Sequence, residues 1–184
     1  TVAFAKSYPN VTVYENYPEK VDFYTHEPKQ INFLISKAKE LNPDWIIYDD
    51  CDCWPNEILA LSARNLLEGY LKDGCGKVEV YRLYVYKGTH YFPDLNIPGQ
   101  SLWAWRPSEC DIHADESNPR EQGLIQPSSV VVLLDKPYVL LHNFAQDKEH
   151  IQQKMDWYFR KGQPQTPFVK GCGKLEPLPS FAFI

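Results

Sequence analysis

A short apolar run at residues 45–48 ends abruptly in three carboxylates, at Asp49, Asp50 and Asp52. Apolar runs of this length, bounded by polar residues, are typical of buried strands. Burying carboxylates without partners costs several kcal/mol, so the strand has to end where solvent, a counter-charge or a cation can reach it. The sequence therefore predicts a buried strand whose carboxyl end lies at an open edge of the fold.

The spacing of the carboxylates predicts a cation site. Residues two apart in a strand lie on the same side, so Asp50 and Asp52 can converge on one ligand while Cys51 faces away. Carboxylate oxygens suit a hard divalent cation such as Mg²⁺ or Mn²⁺. Asp49 would point away and have a supporting role. The alternative is an Asp-rich segment before a helix, which the helix dipole favours.

A zinc site is a further alternative, because Cys51 and Cys53 flank Asp52. Structural zinc sites combine two closely spaced pairs of ligands. The remaining cysteines, Cys75, Cys110 and Cys172, are isolated from one another. The sequence therefore favours the carboxylate site over zinc.

Hydrophobic periodicity predicts alternating strands and helices in the first half and more strands in the second. The predicted strands are 10–16, 45–48, 77–86, 101–106, 130–134 and 138–142, and the predicted helices are 29–41, 55–71 and 148–161. The loops 87–100 and 107–127 are long, which is typical of functional loops. We predict an α/β fold with a mixed, mainly parallel sheet and helices on both faces. One domain spans residues 1–162, and a Pro/Gly-containing tail at 163–184 wraps the surface.

Composition excludes several classes of protein. The chain has 184 residues and a net charge of -5, which argues against nucleic-acid binding. No apolar run approaches the roughly 20 residues of a membrane span, and no signal segment opens the chain. Five scattered cysteines argue against a disulfide framework, so we expect a reducing, cytoplasmic location.

The segment 44–48 (Asp-Trp-Ile-Ile-Tyr), followed by Asp50-Cys51-Asp52 and then by Trp54 and Pro55, resembles the nucleotide-sugar site of GT-A glycosyltransferases, in particular glycosyltransferase family 2. In that family an Asp-x-Asp motif holds Mn²⁺ or Mg²⁺, which bridges the diphosphate of the sugar donor. The resemblance implies a GT-A-like, Rossmann-related fold. It also implies that Asp50 and Asp52 bind the metal and a UDP- or GDP-sugar.

A second resemblance lies at residues 140–144 (Leu-Leu-His-Asn-Phe), which are similar to the family's late strand–His–loop–helix element. The resemblance implies that His142 is the third metal ligand. A hydrogen-bonded histidine without a metal is the alternative. Lys154, on the following predicted helix, is a candidate contact for the donor phosphates, although a lysine on a helix is most often only solvated.

An inverting transfer, which the resemblance implies, needs a base within reach of the acceptor hydroxyl. The acidic segment 109–116 offers Asp111 and Asp115 as candidates. The alternative is an ordinary solvated loop.

Aromatic side chains are the candidate acceptor-binding residues, because sugar rings stack on aromatic faces. These residues are Trp54, Tyr91, Trp103 and Trp105. Each of them, taken singly, is more often part of a hydrophobic core.

The family normally opens with a strand and a loop that grip the nucleotide base, and nothing before residue 11 has that pattern. Residues 3–8 fit the end of the family's first helix, and 11–14 fit its second strand. Because the sequence begins at Thr1, we expect the opening strand to lie in a segment that precedes it.

The leading interpretation is a metal-dependent glycosyltransferase that moves a sugar from a nucleoside-diphosphate sugar to a carbohydrate or other hydroxyl acceptor. One alternative is a sugar-binding or scaffolding domain without turnover. A metal-dependent nucleotidyltransferase or phosphatase is another, but the chain lacks a Gly-rich phosphate loop with lysine and an Asp-x-Asp-x-Thr/Val run.

Overall fold

The computed structural model describes residues 2–15, 23–50, 52–93, 100–117, 124–125, 129–145, 149, 152–153, 156 and 175–183. Its helices are α1 (Val2–Lys6), α2 (Phe23–Lys39), α3 (Glu57–Lys72) and a 3-10 helix (Ser180–Phe183). Its strands are β1 (Ile46–Ile47), β2 (Cys53–Pro55), β3 (Lys77–Tyr86), β4 (His90–Tyr91), β5 (Gln100–Trp105), β6 (His113–Ala114), β7 (Leu124–Ile125), β8 (Val131–Leu133), β9 (Val139–Ala145) and β10 (Glu176–Pro177). None of the helices in this described part of the chain has the length and apolar character needed to cross a bilayer.

Strand β3 is the centre of the main sheet. On one side it pairs antiparallel with β5 and β4, and on the other side it pairs in parallel with β8 and β9. Three short strands extend the sheet: β1 beyond β5, β10 beyond β4, and β2 beyond β9. Strands β6 and β7 form a separate two-stranded sheet. The alternating Val and Tyr residues of β3 suit this position, since β-branched and aromatic side chains pack well on a pleated surface.

The predicted mixed sheet is present, but the predicted predominance of parallel pairing is wrong. Among the described strands, β3 pairs in parallel with β8 and β9, and the other six pairings are antiparallel. The connections explain the difference, because a parallel neighbour needs a long crossover whereas a short link returns the chain antiparallel. Only residues 87–89 separate β3 from β4, and Lys87 and Gly88 turn the chain there with positive φ angles.

Helix α3 covers one face of the sheet. It begins after Asn56, whose side-chain oxygen accepts a hydrogen bond from the Leu59 N–H at 3.3 Å. Asparagine is a favoured cap because it satisfies a donor that the first turn leaves free. Leu59 and Leu67 on the buried side of α3 pack with Val78 and Val80 of β3. Burial of each leucine contributes roughly 1.5–3 kcal/mol.

Helix α2 covers the opposite face. Its residue Ile35 packs with Trp105 and Ile112, whereas Ala104 packs in the cluster beneath α3. Because successive residues of a strand point to opposite faces, the neighbours Ala104 and Trp105 show that α2 and α3 lie on different sides of β5. The prediction of helices on both faces is therefore confirmed for these two helices.

The predicted strand at residues 10–16 is wrong. Residues 11–15 have no regular secondary structure, and residue 16 lies outside the described residues. An alternating pattern forms a strand only where a partner supplies hydrogen bonds, and the Val11 N–H instead bonds the Tyr8 carbonyl at 3.2 Å, just after α1. The helical expectation for residues 3–8 agrees with α1.

Where they fall on described residues, the remaining predicted elements are present, with shifts at their ends. The predicted helix 29–41 begins earlier, at Phe23, and ends at Lys39. The loop 87–100 contains β4, and the polar stretch 107–127 contains β6 and β7. Of the predicted helix 148–161, residues 149, 152, 153 and 156 are described and are helical.

Two side chains of the tail belong to the hydrophobic core. Strand β10 pairs with β4, and Leu178 and Ala182 pack with Leu83, Val85 and Leu141. Leu178 and Ala182 are almost fully buried. Leu178 and Ala182 therefore anchor the tail on the face of β3 opposite α3, whereas Leu175 and Phe183 remain exposed.

Candidate metal centre

The acidic cluster lies in a tight turn between β1 and β2. The Cys53 N–H donates to the Asp50 carbonyl at 2.9 Å, which closes a four-residue turn. The expected extended geometry therefore does not continue through the cluster, and Asp50 and Asp52 have different partners. The Asp50 carboxylate accepts from the Tyr48 hydroxyl at 3.1 Å and lies 3.7 Å from the Arg82 guanidinium.

Asp52 meets the predicted third ligand. The Asn143 N–H donates to the Asp52 carbonyl at 2.8 Å, and Cys53 lies directly opposite His142 in the antiparallel pair β2–β9. These backbone contacts bring the Asp52 carboxylate to 3.1 Å from His142 Nε2. The Tyr84 ring lies against the imidazole with a centroid distance of 5.1 Å, which fixes its orientation from the β3 side.

Asp52, Cys53 and His142 form a group that could hold a metal ion. One ligand atom from each residue lies within 4.8 Å of the other two. The Cys53 sulfur is 3.9 Å from the second carboxylate oxygen of Asp52. The donor atoms are oxygen, nitrogen and sulfur, which fit a divalent cation but not the all-oxygen set that Mg²⁺ prefers. Asp50 is outside this group, and so is Asp49.

Partial burial controls the protonation of the surrounding side chains. Burial, helped by the charge of Asp50, raises the pKa of Tyr48, so its hydroxyl stays protonated and donates to Asp50. Asp49 keeps an exposed surface, but partial burial of its carboxyl raises its pKa to about 6, against the opposing charge of Arg82. Burial likewise raises the pKa of the Cys53 thiol to about 12.

Arg82 is a site residue that the sequence analysis missed. It is two residues from Val80 and two from Tyr84, so all three lie on the same face of β3. That face is apolar beneath α3 and becomes polar at Arg82 and Tyr84, next to His142. The sequence does contain a signal for this site residue, because Arg82 interrupts the apolar side of a strand whose pattern otherwise predicts burial.

The two candidate bases have other contacts. The Lys39 ammonium lies 2.8 Å from the Asp111 carboxylate, and this hydrogen bond holds the pKa of Asp111 below its usual value. The Asp115 carboxylate accepts from the Ser117 N–H at 2.8 Å and from its hydroxyl at 2.6 Å. Both acids thus have exposed hydrogen-bond partners.

Asp111 also lies far from the metal group. Cys110, next to Asp111, contacts the Gly76 carbonyl at 3.6 Å, whereas His142 contacts Tyr84. Positions 76 and 84 are eight residues apart on an extended strand, which corresponds to roughly 26 Å. The structure therefore does not bring Asp111 to the metal group. The role of Asp115 as a base stays a prediction.

For two of the four aromatic residues predicted to bind the acceptor, the structure shows a position in the core. Trp103 is 2% exposed and Trp105 is 0% exposed, since both rings pack in the core, so neither can stack on a sugar. Trp54 is 41% exposed and follows Cys53 directly. Tyr91 is half-buried, and its hydroxyl donates to Glu176 at 3.3 Å.

Of the predicted metal ligands, the structure brings Asp52 and His142 together, whereas Asp50 is held by Tyr48 and Arg82. Cys53 joins the metal group although the sequence analysis did not favour it. Lys154 lies outside the described residues. Comparison of the chain with known protein families, curated proteins and solved structures finds no match.

Proposed function

We propose that the protein is a metal-dependent glycosyltransferase that transfers a sugar from a UDP- or GDP-sugar to a hydroxyl group of a carbohydrate or other acceptor, with inversion at the anomeric carbon. One observation carries the proposal. Asp52 and His142 are 90 positions apart in sequence and 3.1 Å apart in space. They come from the two separate segments that resemble the metal-binding elements of glycosyltransferase family 2, and nothing in the local pattern of either segment requires them to meet.

The group Asp52–His142 is suited to hold a cation beside a solvent-accessible donor. The Asp52 side chain is 39% exposed, whereas the His142 side chain is 15% exposed. The histidine is therefore fixed in the fold while the carboxylate faces the ligand side. A divalent cation bound there would neutralise the negative charge that develops on the leaving nucleoside diphosphate.

Arg82 supplies a second positive charge in the same region. Its side chain is 19% exposed and lies 3.7 Å from the Asp50 carboxylate. In a partly desolvated site a fixed guanidinium interacts strongly with phosphate oxygens, for which its planar shape is well suited. We assign Arg82 to the donor diphosphate and Asp50 to holding the guanidinium in place. Trp54, which is exposed beside Cys53, is the remaining aromatic platform for an acceptor sugar.

Calorimetric titration tests the proposal. UDP, GDP and their sugars are titrated into the complete protein with and without Mn²⁺. We expect one nucleotide to bind only when the metal is present and Asp52→Ala to abolish this binding. Asp111→Ala is the matched control, since it removes an exposed carboxylate far from the centre and should leave binding unchanged.

Other outcomes would replace the proposal. Nucleotide binding that ignores the metal, or no nucleotide binding, contradicts it. Carbohydrate binding that ignores both metal and nucleotide would indicate a sugar-binding or scaffolding domain. Release of phosphate, or transfer of a nucleotide, in the absence of an acceptor sugar would indicate a phosphatase or a nucleotidyltransferase.

A further inference from the structure

We propose that Cys53 is a ligand of the metal, so that the centre is an Asp–Cys–His site that binds Zn²⁺, Co²⁺ or Cd²⁺ more tightly than Mg²⁺. The role of that metal in catalysis rests on the proposed function, but the ligation itself rests on the geometry. The sequence favoured a site made from carboxylates, in which the cysteines had no part.

The backbone places the thiol and the imidazole side by side. Cys53 and His142 are directly opposite each other in the antiparallel pair β2–β9. Residues opposite each other in such a pair project to the same face, with Cβ atoms about 4.5–5.5 Å apart. Asp52 precedes Cys53, and its carboxylate lies 3.1 Å from the imidazole and 3.9 Å from the sulfur. The carboxylate therefore joins the other two ligands.

The spacing of the three atoms suits a tetrahedral ion. Zinc bonds of about 2.0–2.3 Å require neighbouring ligand atoms about 3.3–3.8 Å apart. One Asp52 carboxylate oxygen lies 3.1 Å from His142 Nε2 and the other lies 3.9 Å from the Cys53 sulfur, close to that range, and one ligand atom of each residue lies within 4.8 Å of the other two. Three protein ligands leave a fourth position for water or substrate, as in catalytic zinc sites. The exposed side of Asp52 is where that position would open.

The other described cysteines lack this environment. The Cys75 sulfur lies 3.0 Å from the Lys77 carbonyl, and the Cys110 sulfur lies 3.6 Å from the Gly76 carbonyl. Both are buried thiols with backbone partners. Of the described cysteines, Cys53 lies beside a carboxylate and an imidazole. Burial alone therefore does not distinguish Cys53, but its neighbours do.

Binding involves a simple exchange of a proton for a cation. The Cys53 sulfur forms a bond to the metal, the S–H bond breaks, and the proton leaves to the buffer. No electron is transferred, so no oxidant or reductant is needed. A sulfur ligand favours Zn²⁺, Co²⁺ and Cd²⁺ because these cations accept soft donors, whereas Mg²⁺ requires oxygen.

The test uses the metal alone, with no nucleotide. Metal-free protein is titrated with Co²⁺ and with Cd²⁺, and the thiolate-to-metal charge-transfer absorption is followed. We expect a band that saturates at one equivalent, that Cys53→Ser removes, and that Cys51→Ser and Cys75→Ser retain. Cys53→Ser should weaken Zn²⁺ binding by about 100-fold, as expected for loss of one of three ligands, and should change Mg²⁺ binding by less than about twofold.

A second measurement uses the unaltered protein, in case Cys53→Ser does not fold. X-ray absorption of the Zn²⁺-loaded protein should show one sulfur at about 2.3 Å and lighter atoms at about 2.0 Å. A shell without sulfur, a band that persists in Cys53→Ser, or a band lost in Cys51→Ser would each overturn the proposal. Because no nucleotide is present, a failure here is distinct from a failure of nucleotide binding.

Discussion

Two acidic regions of the chain look alike in sequence and differ completely in structure. The turn at Asp50 and Asp52 converges with His142, Cys53 and Arg82, which come from three different strands. The segment 109–116 also has several carboxylates, but Asp111 and Asp115 contact Lys39 and Ser117 near the surface. The difference shows that a dense run of carboxylates does not by itself make a site.

The strands around each region explain this difference. The turn is followed by β2, which pairs with β9, and β9 pairs with the central strand β3, so distant segments are forced together. The segment 109–116 contains β6, which pairs with the equally short β7 in a separate sheet. Convergence therefore depends on long-range strand pairing, which the first region has and the second lacks.

The largest contrast is expected for metal affinity. Asp52→Asn keeps the size of the side chain but removes a charged ligand, so we expect the affinity for a divalent cation to fall by about 100-fold, or about 2.7 kcal/mol. Asp111→Asn should change the affinity by less than about twofold. Isothermal calorimetry on both variants measures the contrast, and equal effects would show that the two acidic regions are not functionally different.

The next largest effect, on stability, is expected at Asn56, which anchors the acidic region at Asp50 and Asp52. The Asn56 side chain caps α3, donates to the Pro137 carbonyl at 2.9 Å and accepts from the Val139 N–H at 3.3 Å, and the residue is only 2% exposed. Asn56→Ala should lower the free energy of unfolding by about 2–3 kcal/mol, because the cap is lost and buried groups lose partners.

Urea denaturation measures this loss, with Asn56→Ser as the matched variant. Serine keeps a cap oxygen but is too short to bridge to residues 137 and 139, so an intermediate loss is expected. A loss below about 1 kcal/mol in Asn56→Ala would mean that the bridge to β9 does not stabilise the fold.

Asn32 anchors the acidic segment 109–116, and its loss should reduce stability by less than the loss of Asn56. The Asn32 side chain donates to the Ala114 carbonyl at 3.0 Å and accepts from the Ala114 N–H at 2.7 Å, but the contact is only partly buried. Asn32→Ala should cost about 1–2 kcal/mol of stability, measured in urea, and leave metal affinity unchanged. Weakened metal binding in this variant would show that the regions are coupled.

Arg82 should affect the protonation of Asp49. Partial burial raises the pKa of Asp49 from 3.8 to about 6, and the positive charge of Arg82 opposes this rise. In Arg82→Gln the pKa of Asp49 should therefore rise further. A carboxyl whose pKa is raised by folding stabilises the fold at low pH and loses that contribution as the pH rises through the folded pKa.

Titration of the Asp49 carboxyl by NMR in metal-free protein measures this change, and Arg64→Gln is a control at an exposed arginine. The loss of stability with rising pH should extend to higher pH in Arg82→Gln than in the parent protein. A fall in the Asp49 pKa in this variant would contradict the assigned role of the guanidinium.

The smallest effect is expected at the exposed ion pair. Lys39→Met removes the partner of Asp111, whose side chain is 80% exposed. Because solvent screens such pairs, the change in the free energy of unfolding should be less than about 0.5 kcal/mol. A larger loss in thermal unfolding would mean that the segment 109–116 is more firmly fixed than its contacts indicate.

Local sequence patterns predicted much of the secondary structure and part of the candidate site. Strand β3 and the cap of α3 follow from residue types that act within a few positions, so both were predictable. The pairing partners of the strands were not predictable from local patterns, because the order of antiparallel strands depends on which distant segments meet. Asp52 was predicted from the spacing of the carboxylates and His142 from the resemblance. Arg82 was missed and Cys53 was not favoured, because only the register of β2, β3 and β9 brings these side chains close to the turn.

The position of β3 at the centre of the sheet has a consequence for synthesis of the chain. Its parallel partner β9 begins at Val139, 53 residues after β3 ends at Tyr86. At a translation rate of about 5–20 residues per second, β9 emerges roughly 3–10 seconds after β3. During that time the Val- and Tyr-rich edge of β3 has unpaired backbone groups, and such edges readily associate with other chains. The strand that organises the finished molecule therefore also needs protection from association while the protein is being made.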